Sequence, residues 1–432
     1  MLDTPKESPC EQTSPYTWPG ASSSLGSASI GTDGFMRSEF GSGRVVYGSG
    51  YNSILKGFPK WTYADLDGEQ LAKQELWSTL RNNLGVNLLS CRLFPSKVLM
   101  PDLSFAASTS FDECISTLNA SLAHGAKVHI LVSNSLPEWA YDLYPGLSAR
   151  ANSGNGRVES FQQQFKQHSV DYDIDHPQAT RLMAAALQAA ARLIGCHPAL
   201  AGWILANEPT FRGTPSSHTA SKYSAFLEKK YNGDISSLNF AWGSQLAWFD
   251  QASTSPLKPD GDDIGSGARR MWLDWCSFNS QRVTTWIRAL RKALRDVSAC
   301  HLCSVKLNTW PNFAIAPLDS GIDRVTLLRE LDITGLDAGF SPPSTSGYSH
   351  AVQNGQALTF YHPHEYTSDW LSVAVELSML KSIAPTKLIL NSEWHLVTDC
   401  CRTPRERYGD ATFTSARLWF TTIMGQGAHL VW

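Results

Sequence analysis

Two carboxylates occupy the same kind of place in this chain. Glu208 closes the run Gly202-Trp-Ile-Leu-Ala-Asn-Glu208-Pro209, an apolar stretch of strand length that ends in an amide, a carboxylate and a proline. Glu393 closes Lys387-Leu-Ile-Leu-Asn-Ser-Glu393-Trp394 in the same manner much later in the sequence. A carboxylate at the end of a buried strand is costly unless it is paired or put to use. The proline after Glu208 stops further ladder pairing. Two glutamates delivered by two parallel strands are the pair that hydrolysis of a glycosidic bond uses, one as acid/base and one as nucleophile. Retention of configuration asks for carboxyl groups about 5–5.5 Å apart, one protonated and the other ionised. Asn207, beside Glu208, can hydrogen-bond a substrate hydroxyl next to the reacting centre.

These groups need strands to present them. Apolar runs of strand length alternate with segments of helical period, which is the mark of βα units and a parallel sheet. Strands are predicted at 44–51, 86–92, 127–132, 200–207, 303–308, 333–337, 387–393 and 428–432. Helices are predicted at 69–84, 111–124, 177–194, 221–231, 268–296, 369–383 and 412–424, with Pro177 suited to a first helical position. The count gives an α/β fold, a (β/α)8 barrel with Glu208 on strand four and Glu393 on strand seven, both at the C-terminal face. The expected organisation is residues 41–432 as one catalytic domain with an insertion after strand four, truncated at the eighth strand. Residues 1–40, rich in Ser, Thr, Gly and Pro, are expected to be a disordered leader or the remnant of an upstream segment.

Composition narrows the partners. A net charge of −3 gives no electrostatic reason to expect nucleic acid or an anionic membrane. No run is long and apolar enough to span a bilayer, and the N-terminus lacks the apolar core of a signal peptide, which favours a cytoplasmic location. Nine cysteines, an odd count without framework spacing, point the same way. Cys300 with Cys303, Cys400 with Cys401, and the cluster His362, His364 and Glu365 resemble metal or redox groupings. The reading is that no metal or cofactor is held, and His364 is taken as a rim contact with substrate. Fifteen tryptophans supply core packing and faces on which a sugar ring can stack.

The chain resembles the retaining glycoside hydrolases of clan A, and within them the family 42 β-galactosidases. The resemblance rests on the Asn207-Glu208-Pro209 strand end, on Leu136-Pro-Glu-Trp139 with Tyr144-Pro145, and on Trp272-Leu-Asp-Trp275-Cys-Ser-Phe278. Its most specific part is Tyr231-Asn-Gly-Asp-Ile-Ser-Ser-Leu-Asn-Phe-Ala-Trp242-Gly243, and Gly425-Gln-Gly427-Ala428 closes it. It implies a glycosidase that removes terminal β-galactose from an oligosaccharide or glycoside, with Glu208 as acid/base and Glu393 as nucleophile. It further implies that Asn207 contacts the sugar 2-hydroxyl, that Arg92 holds Glu393 ionised, and that Trp248 stacks on sugar. Trp394, adjoining Glu393, is taken as a further substrate contact. Family members often form trimers, which leaves a homo-oligomer open. Two features depart from the pattern: 210–215 holds no cysteine cluster, and Lys166-Gln-His168 stands where other members have two arginines. Alternatives are another clan A activity (β-glucosidase, β-mannanase or agarase) or a non-catalytic carbohydrate-binding barrel.

Overall fold

The structure is a computed structural model. It describes residues 29–30, 36–37, 46–49, 86–106, 109–148, 170–209, 211, 216–252, 266–297, 301–307, 320–336, 339–340, 349–353, 356–360, 367–368, 370–394 and 411–431. Eight strands form one parallel sheet: β1 (Val46–Ser49), β2 (Leu88–Leu93), β3 (Lys127–Val132), β4 (Leu200–Asn207), β5 (Cys303–Lys306), β6 (Ile333–Leu336), β7 (Leu388–Trp394) and β8 (Ala428–Val431). Their order is β5-β4-β3-β2-β1-β8-β7-β6, the chain order wrapped once round. The two terminal strands also meet. The Asp332 N–H donates to the Cys303 carbonyl (3.0 Å), and the Asp332 carboxylate accepts from the Cys303 N–H (3.0 Å). A Cβ built on Gly335 would stand 2.0 Å from the Val305 carbonyl oxygen, so only glycine allows β6 so close to β5.

Strand alternation divides the core in two. Leu89, Cys91 and Leu93 of β2, Val128, Ile130 and Val132 of β3, and Cys303 and Val305 of β5 belong to the large outer core. Leu88, Leu131, Ile204, Ile333, Leu388, Leu390, Ala428 and Leu430 form a smaller one on the opposite face. The helices that cover the outer face include α1 (Thr109–Ala123) and α2 (Pro177–Ile194). In α2 the buried stripe Ala179, Leu182, Met183, Ala186, Leu187, Ala190, Ala191, Ile194 has the three-and-four spacing of a single helix face. Its first turn is capped by His176, whose Nδ1 accepts from the Gln178 N–H at 3.1 Å, with Pro177 behind it.

Between β4 and β5 lie α3 (Ser217–Lys230), α4 (Ile235–Trp242) and the long α5 (Ser266–Arg295). Helix α3 starts four residues before the predicted 221, because the Ser216 hydroxyl accepts from the Thr219 N–H (3.0 Å) and nucleates an earlier first turn. The helix over Ile235–Trp242 was not expected. Asp234 caps its start, and Gly243, at φ 64°, ends it in the left-handed conformation that glycine tolerates. These elements carry their own satellite core of Tyr223, Leu227, Leu238, Trp242, Trp275 and Phe278. Its polar hub is Asp274, 1 % exposed, which receives Lys230 Nζ (2.6 Å), the Tyr231 hydroxyl (2.5 Å) and Trp242 Nε1 (2.9 Å). The motif residues Tyr231, Trp242 and Asp274 thus meet at one buried carboxylate and serve packing.

Further on, α6 (Arg324–Glu330) precedes β6, α7 (Trp370–Ile383) precedes β7 and α8 (Ala411–Ile423) precedes β8. The expected first helix, at 69–84, lies outside the described residues. Within residues 1–40, Ser29–Ile30 pairs antiparallel with Met36–Arg37, and the remainder is likewise outside them. Among the described residues no helix is long and apolar enough to cross a membrane.

Three buried histidines set an acid limit on this fold. Burial pushes His129, His197 and His429 from 6.5 down to about 4. His197 holds a neutral pattern, accepting the Ala199 N–H at Nδ1 (3.1 Å) with Nε2 on Asn119 Oδ1 (3.2 Å). Their folded values are depressed, so the unfolded chain takes up protons first. Their stabilising contribution is therefore complete above pH 6.5 and is lost progressively as pH falls from 6.5 to about 4. The urea midpoint should decline across that interval. His129→Leu should make the decline shallower, and an unchanged slope would show that His129 has no part in it.

Candidate active site

The C-terminal end of β4 is built by two departures from regular strand geometry. From Ile204, opposite Ser304, to Asn207, opposite Lys306, three steps on β4 match two on β5, so β4 bulges by one residue. Leu205 and Ala206 both enter the outer core in consequence. Asn207 comes into register with Lys306, whose place on β5 alternates with the outward Val305. Glu208 then takes φ 43°, a left-handed value uncommon for a residue with a side chain.

Several contacts hold that conformation. Asn134, just beyond β3, clamps the Asn207 backbone: its Oδ1 accepts from the Asn207 N–H (3.0 Å) and its Nδ2 donates to the Asn207 carbonyl (2.5 Å). This side chain replaces the ladder bonds that the bulge removes. The Glu208 N–H donates to the Lys306 carbonyl at 2.9 Å. The Glu208 carboxylate, 2 % exposed, lies 3.0 Å from Lys306 Nζ, itself buried. In a pair this deep, loss of either side chain leaves the other's polar group buried without a partner.

Arg92 stands near the C-terminal end of β2, in register with Leu131 of β3, and alternates with the outward Cys91 and Leu93. It therefore shares the inner face with Leu88 and Leu131. Glu393 and Trp394 are the last two residues of β7, next to β8. There too the register slips by one residue, between Asn391 and Trp394. Both strands chosen for their glutamates therefore bulge at the C-terminal end. The side chains of Glu393 and Trp394, and all of His364, lie outside the described residues. Trp248 sits on the satellite unit, at the head of the short turn Phe249–Gln251, and is 70 % exposed. The structure thus gathers Asn207, Glu208 and Arg92 at the same end of the sheet and mounts Trp248 on the insertion.

Lys306 is the principal residue that sequence reasoning missed. Its signal was available: a lysine within the apolar run Cys303-Ser-Val-Lys306-Leu307 is as anomalous as a glutamate at a strand end. Asn134 carried no such signal, since a polar residue after a strand ordinarily begins a loop.

Among the described residues no group of His, Cys, Asp and Glu has the arrangement to hold a metal ion. Cys303 is unsuited to one. Burial pushes its thiol up to about 12, and its Sγ contacts the His301 carbonyl at 3.7 Å. Cys300, Cys400, Cys401 and the His362–Glu365 cluster lie outside the described residues.

Comparisons with known proteins find glycosidases that are similar to this chain. Residues 70–369 match the model of glycoside hydrolase family 42, described as β-galactosidase. A β-galactosidase from Arthrobacter sp. is 24% identical over 264 residues, 60% of this chain and 35% of that protein. A family 42 exo-carrageenase from Bacteroides ovatus superimposes with a TM-score of 0.62 at 18% identity, over 94% of this chain and 50% of its own. A family 42 β-galactosidase from G. stearothermophilus gives 0.64 at 15% identity, over 90% of this chain and 51% of its own. The chain spans about half the length of these solved structures and about a third of the curated relative.

Proposed function

This chain belongs to glycoside hydrolase family 42, and from that premise we propose that it hydrolyses terminal β-galactosides with retention of configuration, using Glu208 and Glu393. The sheet order and the contact between its terminal strands support reading the fold as a closed (β/α)8 barrel with its site at the C-terminal face. The observation that carries the functional reading is the fixed, buried Glu208 beside the bulge of β4, where surrounding groups stabilise a left-handed backbone. Backbone strain of this kind costs about 1–3 kcal/mol and is concentrated at functional positions.

In the proposed reaction Glu393 attacks the anomeric carbon while Glu208 protonates the departing glycosidic oxygen, giving a glycosyl-enzyme ester. Glu208, now a carboxylate, takes a proton from water, which attacks the same carbon and releases Glu393. Lys306 Nζ, 3.0 Å from Glu208 Oε1, can donate a hydrogen bond to the neutral acid before the proton is given up and to the carboxylate that is left after it. Asn207 bonds the sugar 2-hydroxyl, and Arg92 holds Glu393 ionised. Trp248, Trp394 and His364 supply stacking and rim contacts with substrate. No cofactor enters these steps.

The direct test is a panel of nitrophenyl glycosides offered to the purified chain. We expect release from the β-galactoside well above release from the β-glucoside, β-mannoside and α-galactoside. Silence across the panel, in a protein whose circular dichroism and cooperative melt show it folded, would remove the galactosidase reading.

A further inference from the structure

The chain just past Glu208 is held from outside the sheet. The Phe211 N–H donates to the Ser320 carbonyl (3.2 Å), and its own carbonyl accepts from Asn279 Nδ2 (3.3 Å). Its ring meets Trp286 edge-on, with centroids 5.3 Å apart, and the Arg282 guanidinium lies 5.8 Å from its centre. Asn279, Arg282 and Trp286 all belong to α5, so one helix holds the exit from β4.

Arg282 is the junction of this arrangement. Its Nε donates to Asn279 Oδ1 (2.6 Å), and so fixes the amide that grips Phe211. One of its terminal nitrogens donates to Asp175 (2.5 Å) and to the Thr219 hydroxyl (3.2 Å). Asp175 also receives the Thr219 hydroxyl (2.8 Å) and Lys222 Nζ (3.1 Å). The Arg282 side chain is 9 % exposed. Burial would raise the Asp175 carboxyl, but Arg282, Lys222 and Thr219 outweigh it and hold it below the usual carboxylate value. A buried guanidinium thus ties together the segment before α2, the first turn of α3, the body of α5 and the residues after Glu208.

We propose that Arg282 is a positioning residue for the acid/base: through Asn279 and Phe211 it fixes the exit of β4 and so places the Glu208 carboxyl at the leaving-group oxygen. The proposal rests on the reading of Glu208 as acid/base. Asn134 holds the strand on the near side of Glu208, and the Arg282 group holds it on the far side. A left-handed residue between two such clamps has little freedom to relax. Proton transfer in the first step asks for hydrogen-bond geometry, and a displacement near 1 Å costs about 10²-fold in rate.

The test compares Asn279→Ala and Arg282→Lys with the parent on phenyl and dinitrophenyl β-galactosides. The phenyl leaving group needs the proton and the dinitrophenyl group does not. We expect kcat/KM to fall by about 10–100-fold on the phenyl substrate, with a change under about threefold on the dinitrophenyl one. Equal losses on both, or none on either, in proteins that melt cooperatively would overturn the proposal. Should Arg282→Lys fail to fold, Asn279→Ala decides alone, since it removes only the amide between Phe211 and Arg282. Glu208→Gln is measured alongside. A flat leaving-group profile there removes the acid and this proposal together. A steep profile there beside flat ones in the two variants removes the proposal alone.

Discussion

Glu393→Ala is expected to lower turnover of a nitrophenyl β-galactoside by on the order of 10⁵-fold, with binding of the sugar little changed. The loss is large because the proposed mechanism has no substitute for its nucleophile. Water at that position is a weaker nucleophile than a carboxylate, and the first covalent step vanishes with the side chain. In the proposed site the alanine would also vacate a space of carboxylate size next to the anomeric carbon. A small anion such as azide fits there and attacks from the face that Glu393 used. Azide should therefore restore part of the rate and yield the α-glycosyl azide, inverted relative to the substrate. Kinetics give the rescue, and nuclear magnetic resonance of the product gives its configuration. A β-configured azide would assign Glu393 to the acid/base role, and full activity without azide would exclude it from the reaction.

The fold was readable because its strands are buried on both faces and appear as unbroken apolar runs bounded by polar residues. β3 is observed at the predicted residues, 127–132, and β4 at 200–207. Local rules also served where a cap is encoded in adjacent residues, as with Pro177 and the start of α2. They failed at α3, where one hydroxyl moved the start by four residues. The bulges of β4 and β7 could not be read in advance, because a bulge is a mismatch between two strands and neither strand encodes it alone. Arg282 and Asp175 meet across 107 residues of sequence, and neither has a local pattern that announces the other. The stretch from Tyr231 to Gly243 was legible as a resemblance before its reason was known. That reason is the convergence of Tyr231, Trp242 and Lys230 on Asp274.

Glu208→Gln is expected to separate substrates by leaving group. On a phenyl β-galactoside the loss should be about 10²–10⁴-fold, the range that a positioned proton donor contributes. On a dinitrophenyl β-galactoside, whose anion departs unaided, formation of the glycosyl-enzyme should remain fast and its hydrolysis should become limiting. A burst of dinitrophenolate followed by a slow phase is the signature, and azide should speed the slow phase and give the β-glycosyl azide. Glutamine is preferred to alanine because of Lys306. Alanine would leave a buried ammonium without its carboxylate, and breaking such a pair costs about 3–5 kcal/mol. A loss of activity could then report unfolding instead of chemistry. Glutamine keeps the shape and still offers a carbonyl oxygen to Lys306 Nζ, now 3.0 Å from Glu208 Oε1. Equal losses on the two substrates would contradict the acid role, because a group that only holds the strand end affects every leaving group alike.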